Sequence, residues 1–253
     1  MKPISRSKAP AMDGAIQILE LLASSNVSLS LSEIAEATDL AYSTTYRLID
    51  SLLLHNMICL DPSQQKKYCM GASIFRLAST VFKRQNSISL FHPISEILKN
   101  EVYQSVYLNI EVGNRVVVIA KTESSLAKVS NVYVGSTFVS YEAAAGKAIL
   151  STRSEAYQMQ YLHNNLPKGL DLASRVKACI MELEQAHRVG YALSENTEKD
   201  QLSFIAAPVL DRNNKALASI SVGMSKEDFN HRNIRLVATS LIQATRQLST
   251  SLS

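Results

Sequence analysis

Apolar residues recur at helical spacing along the first part of the chain. The run over 12–24 (MDGAIQILELLAS) predicts an amphipathic helix. Two shorter runs follow, over 31–40 and over 48–53, and the first of them ends at Asp39 and Leu40. Residues 57–70 then alternate around a Pro-Ser-Gln-Gln centre, which predicts a β-hairpin. A helix, two helices joined by a tight turn, and a hairpin are the element order of a winged helix-turn-helix.

The second helix of this pair has a polar face near its beginning. Ser43, Thr44 and Arg47 lie opposite the apolar stripe, and none of them is a large apolar residue. Arg can donate to guanine or to phosphate, and hydroxyls can bond base edges or phosphates, so this face is suited to the DNA major groove. The hairpin carries Lys66 and Lys67, which would contact phosphates. Two alternatives to DNA contact stay open. In the first, Arg47 is a surface charge paired with Asp50 or with the helix end. In the second, Lys66 and Lys67 lie in a solvated turn.

The rest of the chain predicts an α+β domain. Residues 71–84 form an amphipathic helix, either a linker between domains or the last helix of the first one. Helices are predicted over 88–101, 143–151, 154–164, 172–189 and from about Lys226 to the end. Strands are predicted over 105–112, 115–123, 128–135, 202–210 and 216–223. We expect antiparallel strands with helices on one side and room for a pocket between the sheet and its loops.

Composition changes this picture little. The 253 residues allow two domains, and 46% hydrophobic residues with 19% charged ones are typical of a globular protein. The net charge of +4 permits a nucleic-acid partner without requiring one. Cys59, Cys69 and Cys179 are an odd number with no close pair, which favours a reducing compartment. No segment has the length of a membrane span and none resembles a signal peptide, so we expect a cytoplasmic protein without a membrane partner.

The domain organisation predicted from these patterns has four parts. They are a flexible basic tail over 1–10, a winged helix-turn-helix over 11–70, a linker helix over 71–87, and an α+β domain with the layout of a sensing domain over 88–253.

Enzyme chemistry has weak candidates in this sequence. The five histidines are scattered and show no metal-binding spacing, and no nucleophile elbow occurs. The segment AAAGKA contains Gly146-Lys147 but lacks the first Gly and the Ser or Thr of a phosphate-binding loop. We therefore interpret it as a helix start, and we predict no catalytic residue, no metal site and no cofactor.

Several motifs together resemble the IclR family of bacterial transcriptional regulators over nearly the whole chain. They are LSLSEIAEATDL with STTYRLIDSL in the first part, and AAAGKAIL, GYAL, FIAAPVLD and SISVG in the second. The resemblance implies a winged helix-turn-helix, a linker helix and a GAF-like effector-binding domain. It also implies homodimers or homotetramers on a palindromic DNA operator, with a small metabolite that changes DNA affinity. Repression is the more common outcome in the family.

The same resemblance implies site residues. The start of the recognition helix matches at Ser43, Thr44, Tyr46 and Arg47, while Tyr42 stands where the family often has Lys. Of the two tyrosines, we expect one to pack and one to contact DNA.

On the effector side, the resemblance implies a loop at Ala143, Ala144 and Ala145 that holds ligand carboxylates. The family's other ligand positions match Ser194, Phe204, Ser221 and Gly223, of which only Ser221 keeps the usual residue type. A small 2-oxo acid therefore fits poorly. Asn131, Tyr133, Glu142 and Glu195 are candidate replacement contacts, and an acidic pair would favour the hydroxyls of a sugar-like ligand. The alternatives are that Phe204 is only strand core and that the second domain only oligomerises.

Overall fold

A computed structural model describes residues 8–25, 27–82, 87–127, 131–196 and 202–252. The chain divides into two compact units, Met1–Arg84 and Gln85–Ser253. Most of the predicted tail 1–10 lies outside the described residues, and so do residues 83–86 of the predicted linker segment. The helix of that segment falls within the first unit, and its role as a linker stays a prediction.

The first unit contains the predicted helices and hairpin. In chain order its elements are α1 (Pro10–Ser24), β1 (Leu29–Ser30), α2 (Leu31–Thr38), α3 (Tyr42–Leu54), β2 (Ile58–Leu60), β3 (Lys67–Met70) and α4 (Ala72–Phe82). The short strand β1 was not predicted, because two residues are too few to show an alternating pattern. The strands pair in the order β1-β3-β2, and Ile18, Ile34 and Ile49 are buried in the core that the helices share.

Local interactions fix the two ends of α2. Ser30 caps its beginning: the Ser30 hydroxyl accepts from the Glu33 N–H, and the Ser30 N–H donates to the Glu33 carboxylate at 2.7 Å. The Ser30 N–H is also the main cause of the lowered pKa of Glu33. At the other end Asp39 takes a left-handed conformation with a φ of 54°, which Asp tolerates better than most residues. This residue makes the tight turn between α2 and α3.

The wing hairpin is held at its base and across its strands. Strands β2 and β3 are antiparallel, and β3 also pairs with β1. In the loop, the Asp61 carboxylate accepts from the Ser28 hydroxyl and from the Ser63 N–H at 2.7 Å. The register sets Cys59 directly opposite Cys69 with their sulfurs 3.3 Å apart. Cys59 and Cys69 are ten residues apart in the sequence but are neighbours in space, because the strand pairing brings them together.

The second unit is built on one antiparallel sheet. Its helices are α5 (Ser87–Val102), α6 (Ala144–Leu150), α7 (Glu155–Asn165), α8 (Leu172–Val189) and α9 (His231–Leu252). Its strands are β4 (Val106–Val112), β5 (Arg115–Thr122), β6 (Thr137–Val139), β7 (Ala192–Ser194), β8 (Ser203–Leu210) and β9 (Ala216–Met224). They pair in the order β6-β5-β4-β9-β8-β7.

Helices cover both faces of this sheet, which corrects the expectation of helices on one side. Helices α5 and α9 pack on one face, where Leu108, Ile220 and Leu241 are completely buried. Helix α6 packs on the other face around Ala148 and Ala206, with α8 beside it. Alternate positions of the central strands are therefore buried on both sides, which gives the continuous apolar runs seen in the sequence.

Two element boundaries in the second unit differ from the prediction. The third strand was predicted over 128–135, of which 128–130 lie outside the described residues. It lies instead at Thr137–Val139, because Gly135 has a φ of +99° and the Ser136 N–H closes a turn onto the Tyr133 carbonyl. The final helix begins at His231 rather than near Lys226, because Ser225 accepts from the Asp228 N–H and forms a turn there.

Candidate nucleic-acid interface and ligand cavity

The beginning of α3 presents a polar and aromatic surface. Ser43, Thr44 and Arg47 are exposed. Tyr42 and Tyr46 are 59% and 58% exposed, so neither packs as the sequence analysis expected of one of them. Thr45, between them, is buried and donates its hydroxyl to the Ala41 carbonyl at 3.2 Å. The predicted reading residues thus share one accessible face, and Ile49 and Leu52 anchor the helix in the core.

Arg47 is available to a ligand of opposite charge. Among the described residues no carboxylate forms an ion pair with it, Asp50 included. The side chain of Tyr68 on β3 lies near this face, and its pKa is raised first by burial and then by the charges of Tyr42 and Tyr46. Tyr68 was not predicted as a site residue. Its position in an alternating strand gave no sign that it would lie beside α3.

The two predicted wing lysines differ in position. Lys66 is exposed in the loop with a φ of 61°, and Lys67 is half-buried as the first residue of β3. The loop is fixed by Asp61, whose pKa is lowered to about 2 first by the Ser28 hydroxyl and then by Ser63. The Glu33 carboxylate lies close enough to Lys67 for the lysine charge to contribute to its lowered pKa. Lys66 is therefore the freer of the two for contact with phosphate.

A cavity of about 450 Å³ opens on the α6 side of the sheet in the second unit. This volume is in the range of small-molecule sites. Its walls come from β4, β5, β6, β7, β8, β9 and the segments before α6 and after β7. The lining residues are Tyr107, Asn109, Arg115, Val118, Val132, Thr137, Phe138, Val139, Glu142, Ala143, Ala144, Ala145, Ser194, Glu195, Asn196, Leu202, Phe204 and Ser221.

Polar side chains on the central strands form the floor of this cavity. Asn109 is buried, and its amide donates to the Ser221 hydroxyl at 3.0 Å and to the Ser219 carbonyl at 3.2 Å. Tyr107 is completely buried, yet its hydroxyl has no hydrogen-bond partner among the described residues. A buried hydroxyl without a partner is destabilising, so this group is free to bond a ligand.

The apolar wall is made by Phe204. Its ring meets the Tyr107 ring edge-on, with the centroids 5.9 Å apart. A Cβ added to Gly223 would lie 3.0 Å from the Phe204 ring and 2.9 Å from Leu202. Gly223 therefore makes room for Phe204 and does not open space in the cavity.

Charged groups stand at the mouth of the cavity. Arg115 at the start of β5 and the carboxylates of Glu142 and Glu195 are all exposed lining residues. A ligand that carries both a carboxylate and hydroxyls would find a cationic donor and anionic acceptors here.

The structure brings together eight of the residues proposed for the effector, and they line this cavity. They are Glu142, Ala143, Ala144, Ala145, Ser194, Glu195, Phe204 and Ser221. The other three proposed residues, Asn131, Tyr133 and Gly223, are not among the described residues that line the cavity. Tyr133 is 67% exposed in the turn before β6, and Asn131 is exposed next to it. Both lie outside because the strand predicted to carry them is a loop.

Sequence analysis missed Tyr107, Asn109 and Arg115. A usable signal existed, because Tyr107 and Asn109 alternate with Val106 and Leu108 in an otherwise apolar strand. The pairing of Tyr107 with Ser221 and of Asn109 with Ser219 brings these polar residues of two strands together, but only the fold shows this register.

The Gly-Lys pair in AAAGKA serves the packing of α6. A Cβ on Gly146 would lie 2.3 Å from the Ser140 backbone, so only glycine permits this approach. Lys147 pairs with Glu182 of α8 at 2.6 Å. These contacts support the interpretation as a helix start rather than a nucleotide loop.

The described residues contain no group of three His, Cys, Asp or Glu side chains placed to hold a metal ion. In the same part of the chain, no helix is both long and apolar enough to cross a membrane.

Family sequence models match both units. The IclR helix-turn-helix domain matches residues 12–62, and the C-terminal domain of the bacterial transcriptional regulator IclR matches residues 79–250. The chain belongs to the IclR family. Its fold, a winged helix-turn-helix followed by an α+β domain, is the fold that the family resemblance implied.

Individual IclR-family proteins agree with this. The regulator BhcR of Paracoccus denitrificans is 27% identical over 94% of this chain and 86% of its own length. The repressor AllR of Escherichia coli K12 is 26% identical over 87% of this chain and 82% of its own. An IclR homologue of Microbacterium hydrocarbonoxydans, solved with 4-hydroxybenzoate, superposes with a TM-score of 0.71 at 18% identity, covering 96% of this chain and 98% of that one. The chain is therefore a transcriptional regulator and not an enzyme.

Proposed function

We propose that this IclR-family regulator is a repressor of a catabolic operon whose operator affinity is controlled by a small organic acid. Its face on α3, with Tyr42, Ser43, Thr44, Tyr46 and Arg47, would read the operator, and Lys66 and Lys67 would contact phosphates. It would act in the cytoplasm as a homodimer or homotetramer on a palindromic site, as the family resemblance implies. The observation that supports control by a ligand is the Tyr107 hydroxyl on the floor of the cavity, which is buried and has no hydrogen-bond partner among the described residues.

The chemistry of the cavity supports a hydroxylated acid as the ligand. Arg115 offers a counter-charge to a carboxylate, while Glu142 and Glu195 accept hydrogen bonds from hydroxyls. Tyr107 would bond a ligand oxygen in the buried part of the cavity, and Phe204 would pack against its carbon skeleton. Sugar acids and hydroxylated aromatic acids both have this combination. The bound 4-hydroxybenzoate of the Microbacterium homologue belongs to the second class.

Arg47→Ala tests the reading of DNA. We expect it to abolish the gel shift of a duplex that the wild type selects from a random pool, because a bidentate Arg contact supplies about 1–3 kcal/mol of discrimination and phosphate attraction is lost as well. Its circular dichroism should be unchanged, since Arg47 is exposed. Arg188→Ala, also exposed on a helix but in the second unit, is the matched control and should bind normally. Wild-type affinity in Arg47→Ala would contradict the assignment.

Tyr107→Phe tests the ligand site through a thermal-shift screen of sugar acids and hydroxylated aromatic acids. A ligand at 100 times its Kd stabilises the folded protein by about 2.7 kcal/mol. We expect Tyr107→Phe to keep the ligand-free Tm and to lose most of this shift, because its hydroxyl has no partner within the described residues.

Tyr161→Phe is the matched control for that screen. Tyr161 is also buried, but its hydroxyl donates to the Asn114 carbonyl at 2.7 Å. Its removal should cost about 1 kcal/mol of stability and leave the ligand shift intact. If no acid of either class shifts the wild-type Tm while the protein still binds DNA, the second unit serves oligomerisation alone.

A further inference from the structure

The wing contains two thiols placed to react with each other. Cys59 on β2 and Cys69 on β3 are cross-strand partners, and their sulfurs are 3.3 Å apart. Both are free thiols, Cys59 exposed and Cys69 half-buried. Among the described residues, neither cysteine is part of the hydrophobic core of the first unit.

The strand pairing gives the two cysteines a Cα spacing that a disulfide can bridge. Hydrogen bonds join Asp61 to Lys67 and Gly71 to Met57 on either side, so Cys59 and Cys69 occupy the hydrogen-bonded position between them. Such positions have Cα atoms about 5.5 Å apart, within the range found in disulfides. The sulfurs must approach by roughly 1.3 Å to reach the S–S bond length of about 2.05 Å.

We propose that Cys59 and Cys69 form a reversible disulfide when the regulator meets a peroxide, and that this bond lowers its affinity for the operator. The effect on DNA rests on the proposed contact of the wing with phosphates. The disulfide itself does not depend on that function.

The reaction balances with hydrogen peroxide as the oxidant. The Cys59 thiol loses its proton, the thiolate attacks one peroxide oxygen, and the O–O bond breaks. This gives a sulfenic acid and a hydroxide, which takes up the proton to become water. The Cys69 sulfur then attacks the Cys59 sulfur, the S–O bond breaks, and the second oxygen leaves as water. Two thiols and one peroxide thus give one disulfide and two waters. A dithiol reverses the oxidation by exchange.

The order of these steps follows from the two environments. Cys59 is the more exposed thiol, so peroxide reaches it first. The pKa of Cys69 is raised to about 11, first because its thiol is hydrogen-bonded to Cys59. Cys69 therefore stays protonated beside Cys59 until the sulfenic acid forms, and it gives its proton to the departing oxygen when its sulfur attacks.

The bond would change the surface that faces DNA. Cβ atoms of cross-strand partners are about 4.5–5.5 Å apart, whereas a disulfide holds them at about 3.5–4.5 Å, so the strands must shift locally. Strand β3 also carries Lys67 and Tyr68, and it pairs with Ser30, the residue that caps α2. A shift of β3 would displace the wing lysines from their position beside the recognition helix.

The experiment follows the oxidised product and DNA binding in parallel on the full chain. After treatment with hydrogen peroxide, we expect the three free thiols to fall to one. Trypsin cleaves after Lys66 and Lys67, between the two cysteines, so unreduced fragments from either side should remain joined. The Kd for the duplex selected by the reduced protein should rise at least about fivefold, and dithiothreitol should restore it.

Single variants identify the pair. Cys59→Ser and Cys69→Ser should each give unjoined fragments and a Kd insensitive to peroxide, while Cys179→Ser should behave as the wild type. Unjoined fragments in the oxidised wild type would overturn the proposal, and joined fragments with an unchanged Kd would overturn its regulatory part. A reduced protein that selects no duplex would instead overturn the role of the wing in DNA binding, and the fragments would still decide whether the disulfide forms.

Discussion

In the first unit the candidate DNA contacts come from one helix and one hairpin within residues 42–67, whereas the cavity of the second unit collects side chains from residues 107 to 221. The exposed face of α3 is set by local periodicity and by the burial of Ile49 and Leu52 behind it. The cavity floor exists only because β4 pairs with β9. This difference shows why a reading surface is easier to infer from sequence than a binding cavity.

The two units also differ in how their polar groups are satisfied. Around the reading face, Ser30, Thr45 and Asp61 all have hydrogen-bond partners. On the sheet of the second unit, the hydroxyls of Tyr107 and Ser219 are buried without partners among the described residues. A surface that contacts a fixed partner benefits from rigidity, while a cavity for an exchangeable ligand needs groups that a ligand can satisfy.

Matched truncations in the two cores should give the largest effects. Ile49→Ala and Ile220→Ala each remove a buried side chain, from the first and the second core respectively, and each should cost about 2–5 kcal/mol. A unit of 84 residues has a free energy of unfolding of only roughly 4–13 kcal/mol, so Ile49→Ala should lower DNA binding most. Calorimetry of each variant, with gel shifts and ligand-induced Tm shifts, would measure this.

The outcome of that pair decides whether the units are stable independently. We expect Ile49→Ala to move only one calorimetric transition and to leave the ligand response intact, and Ile220→Ala to do the reverse. A variant that moves both transitions equally would show that the two units unfold together, and the comparison between them would then not hold for stability.

Local pattern was enough for most helices and for the hairpin β4–β5, because each has a repeated apolar spacing and a clear turn. It failed over 128–135, where Val132 and Val134 alternate as in a strand but the turn at Gly135 takes the chain elsewhere. Ala143, Ala144 and Ala145 were found through the family resemblance, since three alanines carry no chemistry of their own. Tyr107 and Arg115 escaped because their neighbours in space are distant in sequence.

A smaller effect is expected at low pH, in the stability that the Asp61 carboxylate of the wing contributes. The pKa of Asp61 is lowered from 3.8 to about 2, first by the Ser28 hydroxyl. Because the folded value lies below the unfolded one, this carboxylate stabilises the first unit above about pH 4, and the contribution is lost as the pH falls toward 2. Ser28→Ala should raise the Asp61 pKa and flatten the acid dependence, as measured by NMR titration of the carboxyl carbon.

Ser24→Ala is the control for this titration, because the Ser24 hydroxyl donates to the Leu21 carbonyl at the end of α1 and to no other group in the described part of the chain. It should leave the Asp61 pKa where it is in the wild type. An unchanged Asp61 pKa in Ser28→Ala would mean that Ser63 and Gln64, within the loop, hold the carboxylate. The Asp61 carboxylate would then be fixed only from within its own loop, and the wing would be held from outside by the pairing of β1 with β3.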